Sequence, residues 1–365
     1  MIINLIQEDL ILGFNRDVNN LNMLVLPGGG IKGYMPSLTM QNICREFNIK
    51  EESFINDYDV VGGTSIGGIL ALALVCGVTP TTLVKLFEEE RHNIFPGHWL
   101  PEWAVFLQFA TSGNAIYSRD GLKKAILKVL PNADKIKIKD LPKKVILTTL
   151  RTQQESNKTI NTPLYITNIN SIHDSDITKE FTVLDACCMT SAAPVYFEPY
   201  KKDGFQYVDG GVWRNNPVSV VINAMRSEFV YSRRQCVLTI GCGSQDFSMG
   251  HTKDNLKKIS KQDKRFENLK VLDGLNIIMN VLNSAISASA EASHFDTLLY
   301  QDYSCLDNKC FYYRFQPSLT DAKDACIDNT TDEFFNYMKE KVSDTFKQET
   351  QNIKNFYERI GLDNE

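Results

Sequence analysis

Three short segments carry residue types suited to acyl transfer. Gly63-Thr64-Ser65-Ile66-Gly67 is a Gly-x-Ser-x-Gly pentad that follows one apolar run and opens another. In that setting the serine sits on a sharp strand-to-helix turn, its hydroxyl projecting at the positive end of the following helix. Gly28-Gly29-Gly30-Ile31-Lys32-Gly33 follows an earlier apolar run directly. Its backbone N–H groups can form an anion nest, able to hold a pyrophosphate or the oxyanion of an acyl-transfer intermediate. Asp209, in Val208-Asp209-Gly210-Gly211, ends an alternating run that includes Phe205 and Tyr207. None of His92, His98, His173, His251 and His294 has a comparable glycine-flanked setting. That favours a Ser65–Asp209 dyad over a Ser-His-Asp triad. An aspartate is a weak base for a hydroxyl in water, so the dyad needs a dry site with a strong oxyanion nest.

These residues need elements to hold them. Asn22 to Leu26 reads as a buried strand stopped by Pro27, and a helix runs from Gly33 to about Phe47. Tyr58 to Val61 reads as a second strand, and Ile66 to Cys76 as a small helix buried all round. Thr79-Pro80 looks like an N-cap with proline at the first helical position, opening a helix through about Arg91. Lys144 to Thr149, Leu164 to Thr167 and Gln235 to Ile240 read as further strands, and from about Lys253 the pattern is mostly helical. Strands alternating with helices indicate an α/β fold with a largely parallel sheet.

Four blocks then occur in one order: Gly-Gly-Gly-Ile-Lys-Gly (28–33), Gly-Thr-Ser-Ile-Gly (63–67), Thr-Ser-Ala-Ala-Pro (190–194) and Asp-Gly-Gly-Val-Trp-Arg-Asn-Asn-Pro (209–217). In this the chain resembles the patatin-like phospholipases. The resemblance implies a three-layer α/β/α fold with a mostly parallel central sheet. It also implies hydrolysis of membrane-lipid esters, of phospholipase A type, without metal or cofactor. Carried over by position, Ser65 is the expected nucleophile, Asp209 its partner, and Gly28, Gly29, Gly30 and Ile31 the oxyanion hole. Lys32, Gly33, Gly63, Gly67, Gly210 and Gly211 support the motifs. Pro27 departs from the small or acidic residue of several relatives, which leaves the chemistry intact. The expected organisation is a catalytic domain over 20–245, with an inserted lid-like helical segment at about 95–115, and a mostly helical region over 246–365 packed on it. The run at 87–96 resembles bacterial members, some of them phospholipase effectors of anti-phage defence switched on by cyclic nucleotides.

Composition excludes several other classes. Of 365 residues, 43% are hydrophobic and 23% charged, which suits a packed core and not a disordered chain. A formal net charge of −5 argues against a nucleic-acid partner. The nine cysteines form no Cys-x-x-Cys pair, so zinc and thioredoxin chemistry lack support, and free thiols suit a reducing, cytoplasmic setting. The N-terminus lacks the basic start of a signal peptide. Val60 to Val84 holds no charge but is broken by glycines and Pro80, so it reads as strand, turn and helix rather than a membrane span.

The expected partners are a phospholipid at a membrane surface, met by peripheral association, a cyclic-nucleotide activator and a second copy of the chain. Trp99, Trp103 and Phe106 suit either a membrane-facing lid or a core helix. The lysines from Lys123 to Lys144 suit a solvated face or an anionic headgroup surface. Alternatives are an α/β-hydrolase esterase with His251 or His294 as base, a lipid- or nucleotide-sensing protein without turnover, and a dinucleotide-binding oxidoreductase. The first lacks a His-Gly-Gly-type loop, and the last lacks an acidic residue closing the second strand.

Overall fold

Side chains alternate across a strand, and β1 (Asn20–Leu26) uses both faces. Leu21, Met23 and Val25 join one apolar cluster while Leu24 and Leu26 join another. A strand buried on both sides needs cover above and below, which gives the three layers. The computed structural model describes residues 20–96, 115–155, 158–228, 234–245, 270–304, 310–319 and 327–361.

The strands in chain order are β1, β2 (Val60–Thr64), β3 (Lys144–Glu155), β4 (Lys158–Thr167), β5 (Tyr200–Lys202), β6 (Phe205–Asp209), β7 (Arg234–Ile240), β8 (Ser244–Gln245), β9 (Cys310–Phe315) and β10 (Ser318–Leu319). The main sheet runs β5-β6-β3-β2-β1-β7-β9, with β4 also on β3. Its centre, from β3 through β2, β1 and β7 to β9, is parallel. The pairs β3–β4, β3–β6 and β5–β6 are antiparallel.

The longer helices are α1 (Tyr34–Glu46), α2 (Ile66–Val75), α3 (Pro80–Ile94), α4 (Arg119–Val129), α5 (Val183–Thr190), α6 (Val218–Glu228), α7 (Lys270–Ser304) and α8 (Asp332–Arg359). Helix α2 is buried from Gly67 to Val75, as its unbroken apolar sequence requires. The Thr79 hydroxyl caps α3 by accepting from the Thr82 N–H, with Pro80 in the first turn. Residues of α1, α2, α3, α5 and α8 fill the larger cluster, and Val218, Val221, Ile222 and Met225 of α6 the other.

One register decides where the site lies. Thr64, the last residue of β2, pairs with Thr148, while the next residue of β3, Thr149, pairs with Asp209 at the end of β6. Strands β2 and β6 therefore meet end to end along one edge of β3, the other edge carrying β4. The residue after Thr64 is Ser65.

The uncharged stretch from Val60 to Val84 resolves into β2, α2 and the start of α3. Among the described residues no helix is long and apolar enough to cross a membrane. A finding outside the sequence reading is β9, which pairs with β7 and extends the sheet from within the stretch read as mostly helical. None of the seven described cysteines is in a disulfide. The segment carrying Trp99, Trp103 and Phe106 lies outside the described residues. Several lysines of the 123–144 run are paired: Lys128 with Glu89 and Glu90, and Lys137 and Lys139 with Glu180.

Candidate active site

Ser65 occupies the turn between β2 and α2 with φ 55° and ψ −127°. A side chain other than glycine is rarely held in that region, and doing so costs of order 1–3 kcal/mol. The surrounding bonds enforce it. The Ser65 N–H donates to Thr190 Oγ1 at 2.9 Å, and that hydroxyl donates to the Thr148 carbonyl at 2.8 Å. On the helix side the Ser65 carbonyl accepts from the Ile69 N–H at 3.1 Å, closing the first turn of α2. Only glycine fits at position 67, because a methyl there would drive into the Leu26 and Pro27 carbonyls. That close approach seats the N-terminus of α2 against the end of β1. The α2 macrodipole then places its positive end at Ser65.

Asp209 arrives from the other direction. Its N–H donates to the Ala192 carbonyl at 2.9 Å, and its Oδ1 accepts from the Gly211 N–H at 2.6 Å. Asp209 is only 5% exposed, and the Ser65 side chain lies near enough to act on its carboxyl. Burial pushes its pKa up to about 7, a rise partly opposed by Ser65 and by the bond from the Gly211 N–H. Gly210 lies so close on Thr148 that no side chain fits there. The Thr-Ser-Ala-Ala-Pro block thus serves both halves, Thr190 fixing the serine amide and Ala192 the aspartate amide.

The glycine loop is more selective than its sequence suggests. Of the four residues expected to form the oxyanion hole, Gly28 donates its N–H to the Asn215 carbonyl at 3.1 Å and Ile31 donates to the Ile327 carbonyl at 2.7 Å. Both N–H groups are thus engaged by carbonyls of the chain itself in this arrangement. The Gly29 and Gly30 N–H groups make no such bond among the described residues, and both glycines are partly exposed. Gly30 adopts φ +61°, and its α-carbon abuts the Ile327 backbone. Lys32 is buried at 6% exposure within the short turn Gly30–Gly33. The Gly33 carbonyl accepts from Ser37 Oγ at 2.9 Å, and its α-carbon packs on Ile66. Gly63 packs on the backbone of Gly67 and Gly68.

Residues outside the motif glycines complete the frame. Thr64 Oγ1 lies 2.7 Å from Thr148 Oγ1 and donates to the Arg214 carbonyl at 2.9 Å. Asn215 binds Gly28 twice, its carbonyl accepting from the Gly28 N–H and its Nδ2 donating to the Gly28 carbonyl at 3.3 Å. Thr148 and Asn215 carried no chemistry in the sequence reading. Asn215 lies within the fourth block, so its motif position was the one signal available.

The alternative bases do not meet this site among the described residues. His294 Nδ1 is hydrogen-bonded with the Tyr312 hydroxyl at 2.9 Å, and His173 lies 94% exposed beside Asp174. His98 and His251 lie outside the described residues.

Comparison with known proteins agrees with this geometry. Residues 24–222 match the family model described as patatin-like phospholipase. A cGAMP-activated phospholipase of Escherichia coli (strain TW11681) is 32% identical over 246 residues, 64% of this chain and 65% of that one. A second protein of that name, from Vibrio cholerae serotype O1, is 28% identical over 250 residues, 63% of this chain and 66% of its own. Patatin-like protein 4 of Arabidopsis thaliana is 26% identical over 257 residues, 62% and 60% of the two chains. The matched stretch thus spans just under two thirds of each of these relatives. With the family model covering more than half of its length, and the serine elbow, glycine loop and Asp-Gly-Gly turn gathered at one point of the sheet, the chain belongs to the patatin-like phospholipase family.

Proposed function

We propose that this chain is a lipid acyl hydrolase of phospholipase A type, cleaving carboxylic esters of membrane phospholipids with Ser65 as nucleophile and Asp209 as base. The observation that carries the reading is the meeting of a strained, helix-capping Ser65 with a buried Asp209 at the junction of β2 and β6. Asp209 takes the Ser65 hydroxyl proton as Oγ attacks the ester carbonyl carbon. The oxyanion that forms is held by the Gly29 and Gly30 N–H groups and the positive end of α2. Collapse breaks the ester bond, and Asp209 returns the proton to the departing lysophospholipid alcohol. Water, deprotonated by Asp209, then attacks the acyl-serine and releases the fatty acid, the proton passing back to Ser65. A carboxyl with a pKa of about 7 suits both directions, since it is neither fully ionised nor fully protonated near neutrality.

Regulation follows the same relatives. Two of them are named for activation by cGAMP, and we infer a cyclic-nucleotide switch in this chain as well. Contact with the membrane is peripheral in this reading.

The test is release of free fatty acid from vesicles of defined phospholipids, followed by mass spectrometry with and without cGAMP. Ser65→Ala and Asp209→Asn should each lower release by ~10³-fold or more, as loss of a nucleophile or its base does. Release that persists in Ser65→Ala would sink the proposal.

A further inference from the structure

A strap from outside the four motif blocks crosses the glycine loop. Residues 327–331 precede helix α8 and lie well beyond residues 24–222, the stretch that matches the family model. The Ile327 carbonyl accepts from the Ile31 N–H at 2.7 Å. At Gly30, held at φ +61°, an added methyl would run into that same carbonyl. A carbonyl so placed fixes the plane of the Gly30–Ile31 peptide and, through the φ of Gly30, the tilt of the peptide before it. That tilt aims the Gly30 N–H, one of the two donors the proposed hydrolysis sets on the oxyanion. The loop is thus gripped at one end by Asn215 and at the other by Ile327.

The strap is itself pinned by its next residue. Asp328, buried, accepts from the Tyr117 hydroxyl at 2.8 Å. Further on, Asn329 Oδ1 accepts from the Thr331 N–H at 3.1 Å and its hydroxyl at 2.8 Å, and Thr331 caps α8 by accepting from the Phe334 N–H. Tyr117 is buried as well, its ring 5.3 Å from that of Phe95 and 6.1 Å from that of Phe197 between centres. Its N–H donates to the Tyr196 carbonyl at 2.9 Å, and the Ile116 N–H to the Val195 carbonyl at 2.9 Å. Val195 has φ 75°, a region that β-branched residues almost never occupy and that persists only where neighbours enforce it. Val195 and Tyr196 directly follow the Thr-Ser-Ala-Ala-Pro block, whose Thr190 holds the Ser65 amide and whose Ala192 holds that of Asp209. The contacts therefore close a ring, from the glycine loop through Ile327, Asp328, Tyr117 and the 190–196 stretch back to Ser65 and Asp209.

We propose that Tyr117 and Asp328 are positioning residues for the hydrolysis, their bond keeping the Ile327 carbonyl on the Ile31 N–H and so the glycine loop in register with Ser65. The catalytic half of this proposal rests on the hydrolase reading; the hold on the loop does not. Both side chains act through the loop and not on the reacting atoms. A misplacement of about 1 Å at such donors costs up to ~10²-fold in rate. Ground-state binding of the ester does not draw on the oxyanion donors in the same way, so the loss falls on kcat.

The test measures kcat and KM of the full chain on a soluble short-chain ester with cGAMP added, and hydrogen exchange of the 26–33 stretch by mass spectrometry. Tyr117→Phe keeps the ring and removes only the hydroxyl; kcat should fall by about 10-fold or more with KM within about 2-fold. Asp328→Ala should do the same, whereas Asp328→Asn, which keeps an oxygen for the Tyr117 hydroxyl, should recover all but about 3-fold. Combining Tyr117→Phe with Asp328→Ala should cost little beyond either alone, since both remove one bond. Exchange at 26–33 should quicken by about 5-fold in Tyr117→Phe and hold at the wild-type rate in Asp328→Asn. The proposal is overturned if Tyr117→Phe and Asp328→Ala keep the wild-type kcat, if the loss falls on KM, or if Asp328→Asn loses as much as Asp328→Ala. A wild type that hydrolyses no ester would strike the hydrolase reading and the catalytic half with it, while faster exchange in Tyr117→Phe would leave the hold on the loop standing.

Discussion

A carboxylate shut away from water lowers folding stability whenever it ionises, and Asp209 is in that position. Its pKa of about 7 lies above the 3.8 of an exposed aspartate, so the folded chain holds the proton more tightly than the unfolded one. Stability is therefore greatest below pH 4, falls as pH rises from about 4 to about 7, and levels off above, at a cost of order 4 kcal/mol. Asparagine in its place keeps an oxygen for the Gly211 N–H and carries no charge. Asp209→Asn should thus melt higher than the wild type at pH 8, by several degrees, match it near pH 4, and hydrolyse nothing. Calorimetric melts at the two pH values check this, and equal melting temperatures at pH 8 would contradict it. Activity should follow the opposite course, rising with pH to half its plateau near pH 7 on a soluble short-chain ester, because only the ionised carboxylate accepts the serine proton. Thr190 tests the elbow itself. Thr190→Val removes the acceptor for the Ser65 N–H, at about 1–3 kcal/mol for an unpaired buried donor. We expect kcat to fall by about 10-fold or more with KM little changed, and Thr190→Ser to restore it.

Element by element, the contacts that a strand-turn-helix must make locally were legible, and those made across the sheet were not. The Gly-x-Ser-x-Gly pentad reads out because each of its glycines answers to a close approach, and at Gly67 the partner is the end of the neighbouring strand β1. Thr79-Pro80 reads out as a helix start for the same local reason. Asp209 was recognisable by its two following glycines, one of which lies on Thr148 and the other of which bonds the carboxylate. What a single chain does not announce is end-to-end abutment. That Thr148 and Thr149 pair with residues of two different strands depends on a register set by β4 and β6 together. The engagement of the Gly28 and Ile31 N–H groups has the same origin, since their acceptors, Asn215 and Ile327, are distant in the chain. Strand β9 escaped notice because Cys-Phe-Tyr-Tyr-Arg-Phe has apolar or aromatic residues on both faces and sits between two long helices. Position 67 supplies the element-scale prediction. Gly67→Ala forces α2 away from the Leu26 and Pro27 carbonyls, so stability should drop by about 3 kcal/mol or more, at the severe end for single substitutions. Denaturant unfolding measures it, and a loss below about 1 kcal/mol would show that α2 is free to shift.

Across the whole molecule, the segment beyond the four motif blocks is structural cover for the sheet. Helix α8 buries Phe334, Phe335, Met338, Val342, Phe346, Ile353, Phe356 and Tyr357. These residues belong to the same apolar cluster as β1, α1 and α2. Phe335 packs on Tyr34 at 4.7 Å between ring centres, Phe356 on Phe311 of β9 at 5.8 Å, and the Tyr357 hydroxyl is hydrogen-bonded to that of Tyr58 at 2.9 Å. Asn20, at the start of the central strand, donates to the Arg359 carbonyl near the end of α8. A cluster shared in this way cannot be lost from one part alone, so α8 and the catalytic sheet should unfold in a single transition. Met338, with no exposed surface on α8, is a clean probe of that shared cluster. Met338→Ala removes buried apolar volume and leaves a cavity, at about 2–5 kcal/mol. The melting temperature should fall by at least about 5 °C, and circular dichroism of the helices should lose signal in step with tryptophan fluorescence. Two separated transitions, with the later one at the wild-type temperature, would show instead that the sheet holds its serine and aspartate together without the helix that covers it.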